Sequence, residues 1–338
     1  MMKIAVDAMG GDFAPAEIVK GAVLAAKEHG VGIILVGPEE HIRAEITKHD
    51  TAGIDIEIVP TDEYLIEGEP PAYALRKKKN ASIIVATRLV KEGKASAVVG
   101  AGPTGGIFAS ALQVLGLLEG LSRPVIGGPF LGFAPQTIMI DLGINADCRP
   151  DQLLDFGIIG TVYARKYMNI PNPTVALLSN GREEGKGNEV VKEAHKLFKL
   201  SGLNFIGNVE GNDIAYGKAN VIICDGFVGN IVIKFCEGLG NVTAQWLKKI
   251  LQGNLPENEV TEIVTALKQA TILADTAGGG PLWGINGVAC KAHGRSRASE
   301  VAKAIGMAKY MVETDVVGTL KSELAAAKSR INIPNSSA

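Results

Sequence analysis

The chain has 338 residues, 46% of them apolar and 21% charged, with a net charge of −2. That length supports a sizeable core in one or two domains. The near-neutral charge, the 5% aromatic content and the absence of a basic run interleaved with aromatics argue against a nucleic-acid partner and against capture by an anionic membrane through overall charge.

The first predicted strand is 3–7, with Ile4-Ala5-Val6 following closely on Met1, so no signal peptide is expected. No apolar run approaches the ~18 residues of a transmembrane helix, and a cytoplasmic location is expected. The strand ends in Asp7-Ala8-Met9-Gly10-Gly11-Asp12, two carboxylates flanking a double glycine. Pro15 then opens a helix over 15–29, a favourable position for proline. Asp7, Gly10, Gly11 and Asp12 are candidate binding residues; the competing reading of Asp12 is a plain helix cap.

Strands at 32–36 and 54–59 and helices at 39–48 and 81–92 continue the alternation. Strand 95–100 leads into Gly100-Ala101-Gly102-Pro103-Thr104-Gly105 before a helix over 105–118. The spacing is G-x-G-x-x-G. A dinucleotide site also needs a second strand ending in an acid about 20 residues on, where this chain has Leu121-Ser122-Arg123-Pro124, and Pro103 has no N–H to offer a phosphate. Thr104 and Gly105 remain candidates for an anion at the helix start. The Pro- and Gly-rich stretch 120–136 is a candidate crossing between two lobes.

Strand 137–141, helix 151–168 and strand 174–178 precede Gly181-Arg182-Glu183-Glu184-Gly185-Lys186-Gly187-Asn188-Glu189. Lys186 lies between glycines at the mouth of a helix over 187–200, where its flexible point charge can neutralise phosphate. The competing reading is a solvated charged loop. Strand 203–207 ends in Gly207-Asn208-Val209-Glu210-Gly211, offering an amide and a carboxylate. Strand 220–224 ends in Asp225, with Gly226 and Gly229 read as permitting a tight turn and close backbone approach before a long helix from Asn230. Ligands of open α/β sheets bind at strand carboxyl ends, and helix N-termini hold anions. Asp225, Gly226, Gly229 and Asn230 therefore look like part of an anion site, against the plainer reading of an ordinary cap.

Helices over 230–252 and 257–275 follow with no strand between them and turn at Gly253-Asn254-Leu255-Pro256. Ile231, Phe235, Leu239, Val242, Trp246 and Ile250 recur at helical spacing as an apolar row, either packed as an accessory or facing a partner or membrane. Near the end come Gly284-Ile285-Asn286-Gly287 and Lys291-Ala292-His293-Gly294, then a helix over 296–328. His293, between a strand-like run and a helix, is the histidine expected to do acid–base or hydrogen-bonding work. His29, His41, His49 and His195 are expected on the surfaces of amphipathic helices. Cys148, Cys224, Cys236 and Cys290 form no C-x-x-C pair and are expected reduced. There is no metal-ligand motif and no G-x-S-x-G elbow. Alternating strands and helices imply a mostly parallel α/β sheet covered on both faces.

Seven segments, in order, resemble the phosphate acyltransferases of bacterial phospholipid synthesis (the PlsX type). They are Asp7 to Asp12; Thr104-Gly105; Asp141-Leu142-Gly143 with Asp147-Cys148; Lys186-Gly187-Asn188-Glu189; Asn204 to Gly211; Cys224-Asp225-Gly226-Phe227 with Gly229-Asn230; and Gly287 with Lys291-Ala292-His293-Gly294. The resemblance implies a two-lobed fold like that of isocitrate and isopropylmalate dehydrogenases and of phosphotransacetylase. The lobes would be about 1–120 plus 288–330 and 121–287, with an inserted helical hairpin at 230–275 and a tail at 331–338. It implies transfer of a long-chain acyl group from acyl-acyl-carrier-protein to inorganic phosphate by a homodimer, without an organic cofactor; the lack of a metal-ligand motif adds the expectation that no metal is used. It also implies peripheral membrane contact and delivery of acyl phosphate to a membrane glycerol-3-phosphate acyltransferase. Lys186, Asp225, His293 and Asn208 would be catalytic, with Asn188, Glu210, Asn286 and Lys291 joining the binding residues named above. The chain departs from the expected pattern at Pro103, at Ser179-Asn180-Gly181-Arg182 and at Trp283. Rival readings are transfer from a short-chain acyl-coenzyme A, a metal- and NAD-dependent hydroxyacid dehydrogenase, and a non-catalytic membrane scaffold.

Overall fold

Runs such as Ile33-Ile34-Leu35-Val36 are apolar at every position, so they are stable only as strands covered on both faces, and parallel sheets supply that cover. The computed structural model, which describes residues 1–66, 68–69, 76–271 and 279–331, contains two such sheets. The chain divides into two units, Met1–Glu119 with Ala277–Gly318, and Gly120–Thr276 with Thr319–Ala338.

In the first unit the elements are β1 (Lys3–Asp7), α1 (Ala16–His29), β2 (Gly32–Gly37), α2 (Glu39–Ile46), β3 (Ile56–Pro60), α3 (Ser82–Lys91), β4 (Ala97–Gly100) and α4 (Thr104–Leu115). After the excursion through the second unit come β10 (Gly279–Pro281), β11 (Val288–Ala292) and α10 (Ala298–Glu313). The strand order is β10-β11-β4-β1-β2-β3. All neighbours are parallel except the β10–β11 pair. Helix α1 lies against α10, and Gly21 makes this possible because a Cβ there would sit 2.7 Å from the Ala298 carbonyl oxygen.

The second unit holds β5 (Gly127–Gly128), β6 (Ile138–Ile140), α5 (Pro150–Tyr167), β7 (Val175–Leu178), α6 (Glu189–Leu200), β8 (Phe205–Val209), α7 (Gly211–Ala215), β9 (Val221–Ile223), α8 (Gly226–Leu251) and α9 (Glu257–Thr271). Helix α11 (Val316–Ile331) begins in the first unit and ends in the second. The strand order is β5-β6-β9-β7-β8, with only β5 antiparallel to its neighbour. Helix α5 is buried continuously from Gln152 to Ala164, as a helix apolar on nearly all sides must be. Inside this unit the Lys328 ammonium lies 3.3 Å from Asp155 and also donates to the Gly120 carbonyl. Burial pushes the Asp155 carboxyl up to about 7 despite the lysine.

Several predicted boundaries move. The long helix begins at Gly226 and not at Asn230, because Asp225 caps it; Gly226 and Gly229 are helical residues, not turn residues. Strand β8 runs through Asn208 to Val209 because a bulge absorbs Gly207, whose φ is +95°, where the strand was expected to end. The helix predicted over 296–328 is two helices, broken at Thr314-Asp315, with Asp315 at φ +45°. His195 is buried, not superficial, and its ring meets Phe205 edge-on at 5.0 Å. The hairpin's second helix is seen to Thr271; residues 272–275 of that prediction, and 332–338 of the tail, lie outside the described residues.

Candidate active site

Parallel strands all point one way, so the loops after them gather along one edge of the sheet. In the first unit three neighbouring strands, β11, β4 and β1, bring together the loops after Ala292, Gly100 and Asp7. The Asp12 N–H donates to the Gly294 carbonyl at 2.8 Å. A Cβ on Gly10 would fall 2.6 Å from the Gly102 nitrogen, and one on Gly11, at φ +108°, would fall 3.1 Å from the Gly294 carbonyl oxygen. Gly10 and Gly11 thus let the loop after β1 pass close to Gly102, within the G-x-G-x-x-G stretch, and to Gly294. Asp7 is buried, its carboxylate accepting the Met9 N–H at 3.1 Å. Burial raises its pKa, opposed by the Met9 and Gly10 N–H groups. His293 is half-buried on this edge, and Lys291 lies within β11.

Helix α4 starts on the same edge. No side chain caps it; the Pro103 carbonyl takes the Gly106 and Ile107 N–H groups at 2.9 and 3.1 Å. Thr104 and Gly105, ahead of those two, are where an uncapped helix offers N–H groups to an anion. Asp12 does not cap α1, whose N-cap is Pro15. Asn286 is misplaced in the predicted set. It precedes β11, its N–H donating to the Gly116 carbonyl just past the end of α4. It therefore sits at the amino edge of the sheet, a full strand length from His293.

Along the second sheet the carboxyl edge carries Asp141 after β6, Asp225 after β9, the Lys186 loop after β7 and Glu210 after β8. Asp141 is fully buried and binds its own loop, accepting the N–H groups of Gly143, Ile144 and Asn145 at 3.0, 3.1 and 2.8 Å and the Asn145 amide at 2.8 Å. That loop receives the start of α8: the Gly226 N–H donates to the Asn145 carbonyl at 2.7 Å. The Asp225 carboxylate accepts the Val228 N–H at 2.8 Å. Two of the first three N–H groups of α8 are thus already engaged. Asn230 lies against Gly143, whose Cβ position is 3.3 Å from its Oδ1.

The Lys186 loop is held at both ends. The Gly187 N–H donates to Asn180 Oδ1 at 2.8 Å, and Gly187 has φ +101°. The buried Asn208 donates through Nδ2 to the Glu183 carbonyl at 3.0 Å. Asn188 caps α6 by accepting the Val191 N–H at 2.9 Å. Lys186 itself is exposed, and among the described residues it makes no ion pair. Arg182, by contrast, is committed: it grips Asp213 at 2.6 and 3.0 Å and reaches Glu210 at 3.4 Å. Its hydrogen bonds hold the Asp213 carboxyl well below the usual carboxylate range. Burial raises the Cys148 thiol to about 12, so it is no thiolate nucleophile. Among the described residues no group of His, Cys, Asp or Glu side chains is placed to hold a metal ion.

Asp141 and Asn145 were missing from the predicted set. The signal for Asp141 was present, since Ile138-Met139-Ile140 followed by Asp-Leu-Gly repeats the pattern of Val221 to Asp225. The Asn145 amide, by contrast, has no local sequence signature.

The fold has solved counterparts. The chain superposes on a phosphotransacetylase from Streptococcus pyogenes with a TM-score of 0.63 at 19% identity, covering 96% of this chain and 94% of that one. It superposes on a 4-hydroxythreonine-4-phosphate dehydrogenase from Klebsiella pneumoniae with a TM-score of 0.53 at 13% identity, covering 92% and 98%. The chain is therefore a mostly parallel α/β protein whose fold is like that of phosphotransacetylases and of dehydrogenases of this kind.

The family is narrower than the fold. Residues 2–319 match the family described as "Fatty acid synthesis protein". A phosphate acyltransferase from Pelotomaculum thermopropionicum is 46% identical over 330 residues, covering 96% of this chain and 95% of that protein. The chain belongs to this family of acyltransferase enzymes, the phosphate acyltransferases.

Proposed function

We propose that this protein transfers a long-chain acyl group from acyl-acyl-carrier-protein to inorganic phosphate, forming acyl phosphate for phospholipid synthesis. The observation that supports the reading most is Lys186, an exposed cation with no ion pair among the described residues, presented on a braced loop at a sheet's carboxyl edge in a chain of this family. A phosphate oxygen adds to the thioester carbonyl carbon, the C–S bond breaks, and the carrier departs as a thiolate. A thiol of pKa about 8.5 leaves readily, so positioning and charge neutralisation outweigh a strong general base. Lys186 neutralises phosphate, Asn230 donates to the oxygen that gains charge, and Asn208 and Asn188 brace the Lys186 loop.

The test follows free carrier thiol with phosphate present or omitted, and with a chelator added. Release should require phosphate and survive chelation. Loss in chelator with rescue by a divalent ion would refute the metal-free reaction, and no phosphate-dependent release would leave a scaffold. Preference for short acyl-coenzyme A over the carrier protein would favour the rival donor.

The hairpin of α8 and α9 is the element we assign to the dimer and the membrane surface. Leu239, Val242, Trp246 and Ile250 are exposed on α8, with Lys248 and Lys249 in its last turn. Such cations favour a helix C-terminus and anionic headgroups alike. Among the described residues no helix is long and apolar enough to cross a membrane, so contact would be interfacial. Leu251→Glu with Leu255→Glu should abolish sedimentation with anionic liposomes while the variant stays dimeric and active in solution. Equal sedimentation of variant and wild type would confine the hairpin to a subunit interface.

A further inference from the structure

Beside the Lys186 loop lies a buried nitrogen that the proposed reaction does not use. His195, in the body of α6, is 4% exposed, and among the described residues its Nδ1 has no hydrogen-bond partner. A buried polar atom of this kind calls for an explanation. Phe205 of β8 meets the ring edge-on, and Nε2 lies 4.0 Å from the Cβ position of Gly207. Nδ1 faces Glu184, whose Oε1 is 3.6 Å away.

Glu184 is not an arbitrary neighbour. The Glu183 carbonyl accepts the Lys186 N–H at 3.0 Å, closing a tight turn with Glu184 and Gly185 at its two central positions. Lys186 ends that turn, so the direction of its side chain follows from how the turn sits. Asn208 holds the turn's first carbonyl, and Asn180 holds the Gly187 N–H just beyond it. The Glu184 side chain is a further handle, and α6 takes it at both oxygens. The Lys199 ammonium donates to Oε2 at 2.5 Å, and His195 faces Oε1. Lys199 is exposed and flexible, so it follows the carboxylate wherever the loop goes, and a pair of this kind holds little. The imidazole is packed between α6 and β8 and cannot follow.

Burial lowers the pKa of His195; Glu184 opposes the shift and Lys199 adds to it. The ring is therefore neutral above the ordinary histidine range, with one N–H. On Nδ1 a bare lone pair would face a carboxylate, so we place the proton there. The gap is longer than a hydrogen bond, and the force across it is the attraction of an N–H dipole for a charge, drawing Glu184 towards α6.

We infer that His195 is a positioning residue for Lys186: through Glu184 it fixes the turn that presents the lysine to phosphate. The inference rests on the reading of Lys186 as the phosphate ligand. It gives a task to a histidine that lies in a helix and outside every strand-end loop.

The test is steady-state kinetics at about pH 7.5, where His195 is neutral, with phosphate and acyl donor varied in turn. His195→Phe keeps a ring against Phe205 and removes the N–H. It should raise the Michaelis constant for phosphate about three- to tenfold, on the scale of one lost hydrogen bond. The donor constant, kcat and Tm should hold. His195→Asn, whose amide N–H can stand where the Nδ1 proton stood, should recover most of the phosphate affinity. Glu184→Ala, a change at an exposed side chain, should raise the phosphate constant at least as much, and adding His195→Phe to it should do nothing further. An unchanged phosphate constant in His195→Phe, equal losses in kcat and both constants, no recovery in His195→Asn, or full additivity with Glu184→Ala overturns the inference. Should His195→Phe not fold, Glu184→Ala and His195→Asn decide it, and an unchanged phosphate constant in Glu184→Ala is then the overturning result. Lys186→Ala separates the two readings. If it leaves phosphate dependence unchanged, the phosphate role of the loop falls and this inference with it. If it weakens phosphate binding while His195→Phe does not, the inference alone falls.

Discussion

Lys186→Ala should raise the Michaelis constant for phosphate by roughly 10- to 100-fold, the equivalent of a charged hydrogen bond worth about 1.5–3 kcal/mol. The Michaelis constant for the acyl donor should change little. Lys186 is exposed and unpaired among the described residues, so removing its ammonium breaks no ion pair, and stability should hold. Its stem lies over Gly181, where a Cβ would come within 2.6 Å of the lysine Cγ. Gly181→Ala should therefore push the lysine aside and weaken phosphate binding without removing charge. Lys186→Arg should recover only part of the loss, because a planar fork replaces a compact point charge. The measurement is steady-state kinetics with phosphate varied at saturating donor. An unchanged phosphate dependence in Lys186→Ala would return the residue to the solvated-loop reading.

Gly229→Ala should be the most damaging single methyl in the second unit. A Cβ there would lie 1.8 Å from the Asp141 carbonyl oxygen and 3.2 Å from Cys224 Sγ. Neither backbone is free to yield. The Asp141 N–H donates to the Cys224 carbonyl at 3.0 Å, and the Asp141 carboxylate gathers three backbone N–H groups of its own loop. Alanine in a helix gains up to about 1 kcal/mol over glycine, but overpacking costs about 1–3 kcal/mol and occasionally more, and here the obstacle is main chain. The net loss should be about 2 kcal/mol, or roughly 4–8 °C in Tm for a unit of this size. Activity should fall further, since the shift moves Asp225 and Asn230. Gly238→Ala in the same helix is the control: no atom lies within 4 Å of its Cβ position, so the variant should be neutral or slightly stabilised. Equal melting temperatures for the two variants would sink the argument.

Much of the site was legible because each strand end carries its own local signal. The apolar run Val221-Ile222-Ile223 with Asp225 behind it reads as a buried strand and a polar edge in any context, and the same holds for Asp7 and for the Lys186 loop. The misreadings share a cause. Glycine signals freedom without saying what uses it. Gly226 and Gly229 looked like a turn but are helical residues under the Asp141 loop, and Gly207 looked like a strand end but is a bulge. His195 fits the amphipathic pattern of α6; only the position of Phe205 across from it decides that the ring is buried.

Taken alone, the chain determined the alternation of strands and helices, the parallel sheets, the family and most of the polar loops, because hydrophobic period and capping chemistry act over a few residues. Strand direction and strand neighbours are settled by contacts between distant segments. Only the tertiary structure therefore placed Asn286 at the amino edge and His293 at the carboxyl edge of one sheet, although they are seven residues apart. It alone showed that Gly229 is needed because Asp141, 88 residues earlier, leaves no room for a methyl group. It alone showed that Val228, Val232, Ile233 and Cys236 are the residues of α8 that pack onto the core around Ile222 and Met139, since whether an apolar side chain is buried depends on what packs against it and not on the side chain itself.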